Sequence, residues 1–248
     1  MSKIALVTGA SRGIGRAIAI LLAKNGYRVC VNFNKNEGEA RSVVKQILDF
    51  GGHAIPIRAN IADEKQVIKM FESIDHDFGR LDVLVNNAGI LFTQCSIAEL
   101  DSERINKIFT VNVTGTMICS REAVKRMSTM AGGTGGVIVN LSSRAAIWGS
   151  PNEYLDYAAS KGAIDTFTTG LANEVADKGI RVNAVRPGLI YTDMHADGGE
   201  KGRVERLSSS VPLKRGGYPE EVAEAVYWLI SDKSAFTTGT FIDVSGGR

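Results

Sequence analysis

Ile4-Ala5-Leu6-Val7-Thr8-Gly9-Ala10-Ser11-Arg12-Gly13-Ile14-Gly15 is the stretch that decides the fold. A short apolar run enters a turn with glycines spaced G-x-x-x-G-x-G, and residues 13–25 then carry apolar side chains at helical intervals. Glycines at such a turn let backbone N–H groups close on a diphosphate at a helix N-terminus. A glycine-rich turn alone is compatible with ordinary turn chemistry. Its place between a strand and a helix, at the start of the chain, is what points to a nucleotide. The P-loop reading needs Gly-Lys-Ser/Thr after the turn, and Gly15 is followed by Arg16-Ala17, so that reading fails.

Working outward, short β-branched runs at 3–8, 28–33, 53–59, 81–86, 136–141, 180–185 and 239–244 alternate with helix-like stretches. The latter lie near 13–25, 37–50, 64–78, 102–130, 156–178 and 219–231. Such alternation predicts an α/β, doubly wound, seven-stranded and mostly parallel sheet with helices on both faces. Spacing is even and no linker interrupts it, so residues 1–248 read as a single dinucleotide-binding and catalytic domain. One segment breaks the rhythm. Residues 188–218 carry Gly188, Gly198, Gly199, Gly202, Gly216 and Gly217 with a charged filling, and follow the carboxyl end of a strand. Ligands bind at such ends in open α/β sheets, so a mobile substrate lid is expected there.

Composition excludes several classes. Lys and Arg number 29 against 27 Asp and Glu, with no long basic run, which argues against nucleic acid or an anionic membrane as partner. Cys30, Cys95 and Cys119 form no C-x-x-C pair, and no metal site is expected. No run of 18 apolar residues exists, and the run at 4–7 is too short for a signal peptide, so a cytoplasmic protein is expected.

Two features bear on chemistry. An acid at the end of the second strand would accept from a ribose 2′-OH and repel a 2′-phosphate. Here Val31-Asn32-Phe33-Asn34-Lys35 carries none before Glu37, and Arg12 sits in the glycine turn. NADP(H) is favoured, held by Arg12 and Lys35, with NAD(H) as the second cofactor to test. Further on, Tyr157-Ala-Ala-Ser-Lys161 puts a phenol and an ammonium on one helical face. A cation there would pull the phenol below its ordinary pKa of about 10 and suit it to proton exchange.

With Asn86-Asn87-Ala88-Gly89, Asn112, Ser142-Ser143, Pro187-Gly188-Leu189-Ile190-Tyr191-Thr192 and the 238–247 stretch in order, the whole chain resembles the short-chain dehydrogenase/reductase family, a Rossmann-type fold. It is most similar to the bacterial branch of glucose 1-dehydrogenase-like and 3-oxoacyl-carrier-protein reductase-like enzymes. The resemblance implies Tyr157 as general acid/base, with Lys161 lowering its pKa and holding the nicotinamide ribose. It implies Ser143 as a donor to the substrate oxygen, and Asn112 ordering a water that relays protons to Lys161. It implies cofactor contacts from Gly9, Ser11, Arg12, Gly13, Ile14, Gly15, Asn34, Lys35, Asn60, Ile61, Asn87, Ala88, Gly89, Tyr157, Lys161, Pro187, Gly188, Ile190 and Thr192. Asn60 stands where relatives carry an aspartate, and Asp63 reads as a helix N-cap.

The expected function is NADP(H)-dependent interconversion of a secondary alcohol or sugar hydroxyl and a carbonyl. The alternative is a catalytically silent nucleotide-binding sensor or scaffold of the same fold. Proximity to the catalytic motifs places Ser143, Arg144, Trp148, Tyr154, Tyr191 and His195 around a small-molecule substrate, and Arg144 with His195 leans it toward a polar or anionic one. The 14-residue gap from Ser143 to Tyr157 is one longer than in many relatives, with the extra residue placed near 151–155. The long 102–130 stretch, with Ile105, Ile108, Phe109, Val113, Met117 and Ile118, implies by resemblance a homotetramer built on two-fold contacts.

Overall fold

The computed structural model describes residues 2–248. Seven strands, β1 Ile4–Val7, β2 Arg28–Phe33, β3 His53–Arg58, β4 Val83–Asn86, β5 Gly136–Leu141, β6 Ile180–Pro187 and β7 Phe241–Val244, form one sheet in the order β3-β2-β1-β4-β5-β6-β7. All six pairings are parallel, so the sheet is wholly rather than mostly parallel. Among the described residues ten α-helices surround it: α1 Gly13–Lys24, α2 Glu37–Asp49, α3 Glu64–Phe78, α4 Ser102–Phe109, α5 Thr116–Met127, α6 Ala145–Trp148, α7 Leu155–Val175, α8 Met194–Asp197, α9 Arg203–Leu207 and α10 Pro219–Ile230.

Strand residues alternate between two cores, as a period of two requires. Ala5, Val7, Val29 and Val31 pack under α1, α2 and α10, against Ile18, Leu22, Ile47 and Val226. Ile4, Leu6, Cys30 and Leu84 point the other way, against Phe71 and Ile74 of α3, Cys119 of α5 and Val175 of α7. Each such side chain contributes roughly 1.5–3 kcal/mol on burial. The sheet winds outward in both directions from the β1–β4 pair, and the crevice beyond their carboxyl ends is where such a sheet takes a ligand.

Two expectations change. The 102–130 stretch is not one helix, because a π-helical turn at Thr110–Gly115 separates α4 from α5. Thr110 and Thr116 hydroxyls donate back to the Asn106 and Asn112 carbonyls, and a Cβ on Gly115 would lie 2.7 Å from the Ile61 carbonyl oxygen. π-turns of this kind recur at functional sites. The 188–218 segment is packed rather than open: α8, α9 and a 3-10 turn at Ser208–Ser210 fill it, and Val204 and Val211 are buried. An isolated bridge between Ile190 and Gly217 closes its base.

Candidate active site

The glycine turn is held by its backbone. Gly9 has φ +62°, and a Cβ there would sit 2.9 Å from the Ala88 Cα, so the β1 and β4 loops touch only because Gly9 has no side chain. A Cβ on Gly15 would collide with Asn87 Nδ2 and the Gly9 carbonyl oxygen. Thr8 Oγ1 accepts from the Asn87 and Ala88 N–H groups at 3.0 Å, while Asn87 Nδ2 donates to the Thr8 and Gly9 carbonyls at 2.9 and 3.0 Å. Buried Asn32, absent from the expected set, accepts from the Gly9 N–H and donates to the Ile57 and Ala59 carbonyls. No side chain caps the first turn of α1. Its N–H groups and positive dipole end suit a diphosphate, and a Cβ on Gly89 would come 3.4 Å from Asn112 Oδ1 and 3.7 Å from Lys161 Nζ. The cradle fits a dinucleotide.

At the adenosine end Asn34 and Lys35 are exposed, and Arg58 reaches across from β3, donating to the Asn34 carbonyl. Sequence reading missed Arg58 because only strand pairing brings it there. Arg12 pairs with Asp197 of α8 at 2.5 Å, a partner 185 residues away. Asn60 Oδ1 accepts from the Ala62 N–H, the Ile61 side chain is in the core, and Asp63 caps α3 by accepting from Lys65 and Gln66. Ile61 can therefore offer an adenine little beyond its main chain.

Tyr157 and Lys161 lie on α7, whose start is fixed by Asp156. That carboxylate is 1% exposed, accepts from the Tyr157 N–H at 2.9 Å and pairs with Arg104 Nε at 2.6 Å. Lys161 Nζ donates to the Leu141 carbonyl at 2.7 Å and stands 5.6 Å from the centre of the Tyr157 ring. The expected lowering of the phenol pKa is overturned here. Burial pushes Tyr157 up to about 12, with the Ser143 hydroxyl pulling the other way, and burial brings Lys161 down to about 8. Desolvation disfavours the charged form of each group, and it outweighs the Ser143 hydrogen bond to the phenol and the Asp165 charge near the ammonium. Ser143 Oγ accepts from the Ala145 N–H, whereas Ser142 is buried and its hydroxyl donates to the Lys161 carbonyl. Of the serine pair, Ser143 is the one beside the phenol. Asn112, in the π-turn, accepts from the Ile90 N–H and donates to the Ile90 carbonyl and Ser160 Oγ. Its amide is bonded to protein atoms on both its oxygen and its nitrogen.

A cavity of about 380 Å³ joins Ile14, Asn87 and Gly89 to Ser143, Tyr157 and Lys161, with Pro187, Gly188, Ile190 and Thr192 along one side. Of the expected substrate residues, Arg144, Trp148, Tyr154 and His195 line it. Tyr191 does not. Its ring stacks on Tyr218 at 5.2 Å, facing a separate groove between α1 and α10. Arg144 is spoken for, bonded to Asp243 at 2.5 Å and to the Arg248 carbonyl at 2.8 Å, and His195 Nε2 lies 2.9 Å from the Ile190 carbonyl. Burial lowers the His195 pKa, which leaves the ring neutral at pH 7. The leaning toward an anionic substrate therefore loses its basis. Sequence reading also missed Glu153 and Arg203, which meet in the cavity wall across 50 residues. Before α7, Ser150 and Asn152 adopt φ of 46° and 60°, left-handed values that strain non-glycine residues. That strain falls in the loop where the extra residue was placed.

Fold and site together define a dinucleotide-binding α/β protein. A family profile described as enoyl-(acyl carrier protein) reductase matches residues 9–248. The chain is 60% identical over 245 residues to the uncharacterized oxidoreductase YgfF of Escherichia coli (strain K12), covering 99% of each. It is 39% identical over 247 residues to the 3-oxoacyl-[acyl-carrier-protein] reductase FabG of Staphylococcus aureus (strain Mu50), covering all of this chain and 98% of that one. A short chain dehydrogenase from Burkholderia cenocepacia J2315, solved in complex with NADP, superposes with a TM-score of 0.89 at 35% identity, over 99% of this chain and 97% of its own. The protein belongs to the short-chain dehydrogenase/reductase family of oxidoreductases.

Proposed function

We propose that the protein is an NADP(H)-dependent oxidoreductase that interconverts a secondary alcohol or sugar hydroxyl and a carbonyl, with Tyr157 as general acid/base. The observation that carries this is one cavity shared by Ser143, Tyr157, Lys161 and the glycine-turn residue Ile14. The dinucleotide supplies or takes up the hydride. As negative charge builds on the carbonyl oxygen, the Ser143 hydroxyl and the Tyr157 phenol donate to it, and the phenol yields its proton. Lys161 is the nearby cation that makes the phenolate tolerable once it forms. Asn112 fastens Ile90, and with it Gly89, against Lys161.

Lys35 beside Asn34, Arg58 on the Asn34 carbonyl, Arg12 in the glycine turn and the lack of an acid before Glu37 support NADP(H) over NAD(H). The 188–218 segment acts as the lid of this single domain, opening for substrate by releasing contacts such as that of Tyr154 with the Gly198 carbonyl. Ile105 and Met117 are exposed while Ile108 and Val113 are buried, which supports a homotetramer packed through α4 and α5. The unpaired thiols fit a reducing cytoplasm, and no helix among the described residues is long and apolar enough to cross a membrane.

Absorbance of NADPH and NADH followed over a panel of ketones, aldehydes and sugars tests the proposal. Turnover with NADPH at higher kcat/KM than with NADH is expected. Tight NADPH binding with no turnover anywhere in the panel would favour the silent sensor instead.

A further inference from the structure

The lid and the loop before α7 meet inside the substrate cavity through a closed ion pair. Arg203 of α9 is 8% exposed, and its Nη1 and Nη2 donate to Glu153 Oε1 and Oε2 at 3.0 and 2.5 Å. Its Nη1 also reaches Glu200 Oε2 at 3.2 Å, and its guanidinium lies 5.2 Å from the centre of the Tyr154 ring. Both Arg203 and Glu153 line the cavity. Of the other cations of the wall, one is ion-paired and one is bonded to a neutral carbonyl. Arg144 is held by Asp243, and the Lys161 ammonium by the Leu141 carbonyl. Arg248 is partly buried over the half-exposed Trp148 ring and donates to Ser210 Oγ.

An anionic substrate entering this cavity gives up its hydration, and the ammonium beside the reacting groups, Lys161, is committed to the Tyr157 phenol and the Leu141 carbonyl. It must also face the Glu153 carboxylate or pull Arg203 away from it, which leaves the nearly buried guanidinium short of its partner. An uncharged substrate meets Leu91, Pro151, Met194 and Leu207 and keeps the ion pair intact. We propose that the closed Glu153–Arg203 pair makes this cavity selective for uncharged carbonyl compounds and their alcohols, against analogues that carry a carboxylate. The inference rests on the oxidoreductase reading above and adds a substrate class and two specificity-determining residues to it.

The test compares ethyl 3-oxobutanoate with 3-oxobutanoate, the same ketone as ester and as anion, using the full-length protein and NADPH at pH 7.5. The expected result is a kcat/KM for the ester at least roughly 10-fold above that for the anion. Glu153→Gln keeps the hydrogen-bonding shape and removes the charge, so it narrows that ratio by raising the value for the anion. Glu200→Gln, on the outer side of the same guanidinium, shifts the ratio in the same direction and serves if Glu153→Gln proves unstable. Equal or better turnover of the anion by the unmodified protein overturns the proposal. A ratio unmoved in both folded variants overturns its assignment to this pair. Reduction of neither compound nor of any other carbonyl, with NADPH still bound, overturns the oxidoreductase reading itself.

Discussion

The two halves of the site are built on different principles. The cofactor half, around Gly9 and Gly15, is held by hydrogen bonds between the backbone and the short side chains of Thr8, Asn32 and Asn87, and by close approaches that only glycine permits. The substrate half is held by charged side chains reaching between distant segments, such as Arg203 to Glu153 and Arg104 to Asp156. A backbone constraint leaves a mark on one short stretch of sequence. An ion pair between residues 50 positions apart leaves none. The cofactor half is accordingly intolerant of added atoms, and the substrate half can be re-paired while the sheet stays as it is.

The largest effect belongs to the cofactor half. Gly15→Val drives side-chain atoms into Asn87 and the Gly9 carbonyl, and NADPH binding measured by fluorescence is expected to vanish. Binding within tenfold of the unmodified protein would break the contrast between the halves. Next comes Arg104→Met, which strands the buried Asp156 carboxylate at the start of α7. A loss of about 3–5 kcal/mol in urea unfolding is expected. A loss below about 1 kcal/mol would mean that the substrate half does not lean on its ion pairs. The smallest of the three is Arg12→Ala. It removes a charge-assisted donor and should raise KM for NADPH roughly 10–100-fold with little change for NADH. An equal rise for both cofactors would give Arg12 a structural role, through Asp197, instead of a 2′-phosphate one.

How much of this was legible in the sequence follows the same division. All seven strands fall within two residues of the runs read from β-branched periodicity, since a sheet buried on both faces demands such runs. The catalytic helix is legible for its own reason: Tyr157 and Lys161 are local neighbours. The π-turn at Thr110–Gly115 is not, because its residues are compatible with an uninterrupted helix and Gly115 is explained only by the distant Ile61 backbone. Tyr191 was assigned to the substrate by nearness in sequence, and its stacking on Tyr218 took it elsewhere, while Arg144 lines the cavity but is held by Asp243. The sign of the Tyr157 shift was misread for a related reason. Helical spacing reports the nearby cation, whereas desolvation depends on everything packed around the pair.

The central claim is that Tyr157 exchanges the proton, and the pH dependence of alcohol oxidation in the unmodified protein and in Tyr157→Phe tests it most directly. Oxidation needs the phenolate, so its rate should climb with pH toward about 12, the value to which burial raises Tyr157. Tyr157→Phe should keep NADPH affinity, lose roughly 10²–10⁴-fold in turnover and lose that climb. A phenylalanine variant that oxidises the alcohol at near the original rate, with the same pH dependence, would contradict the account.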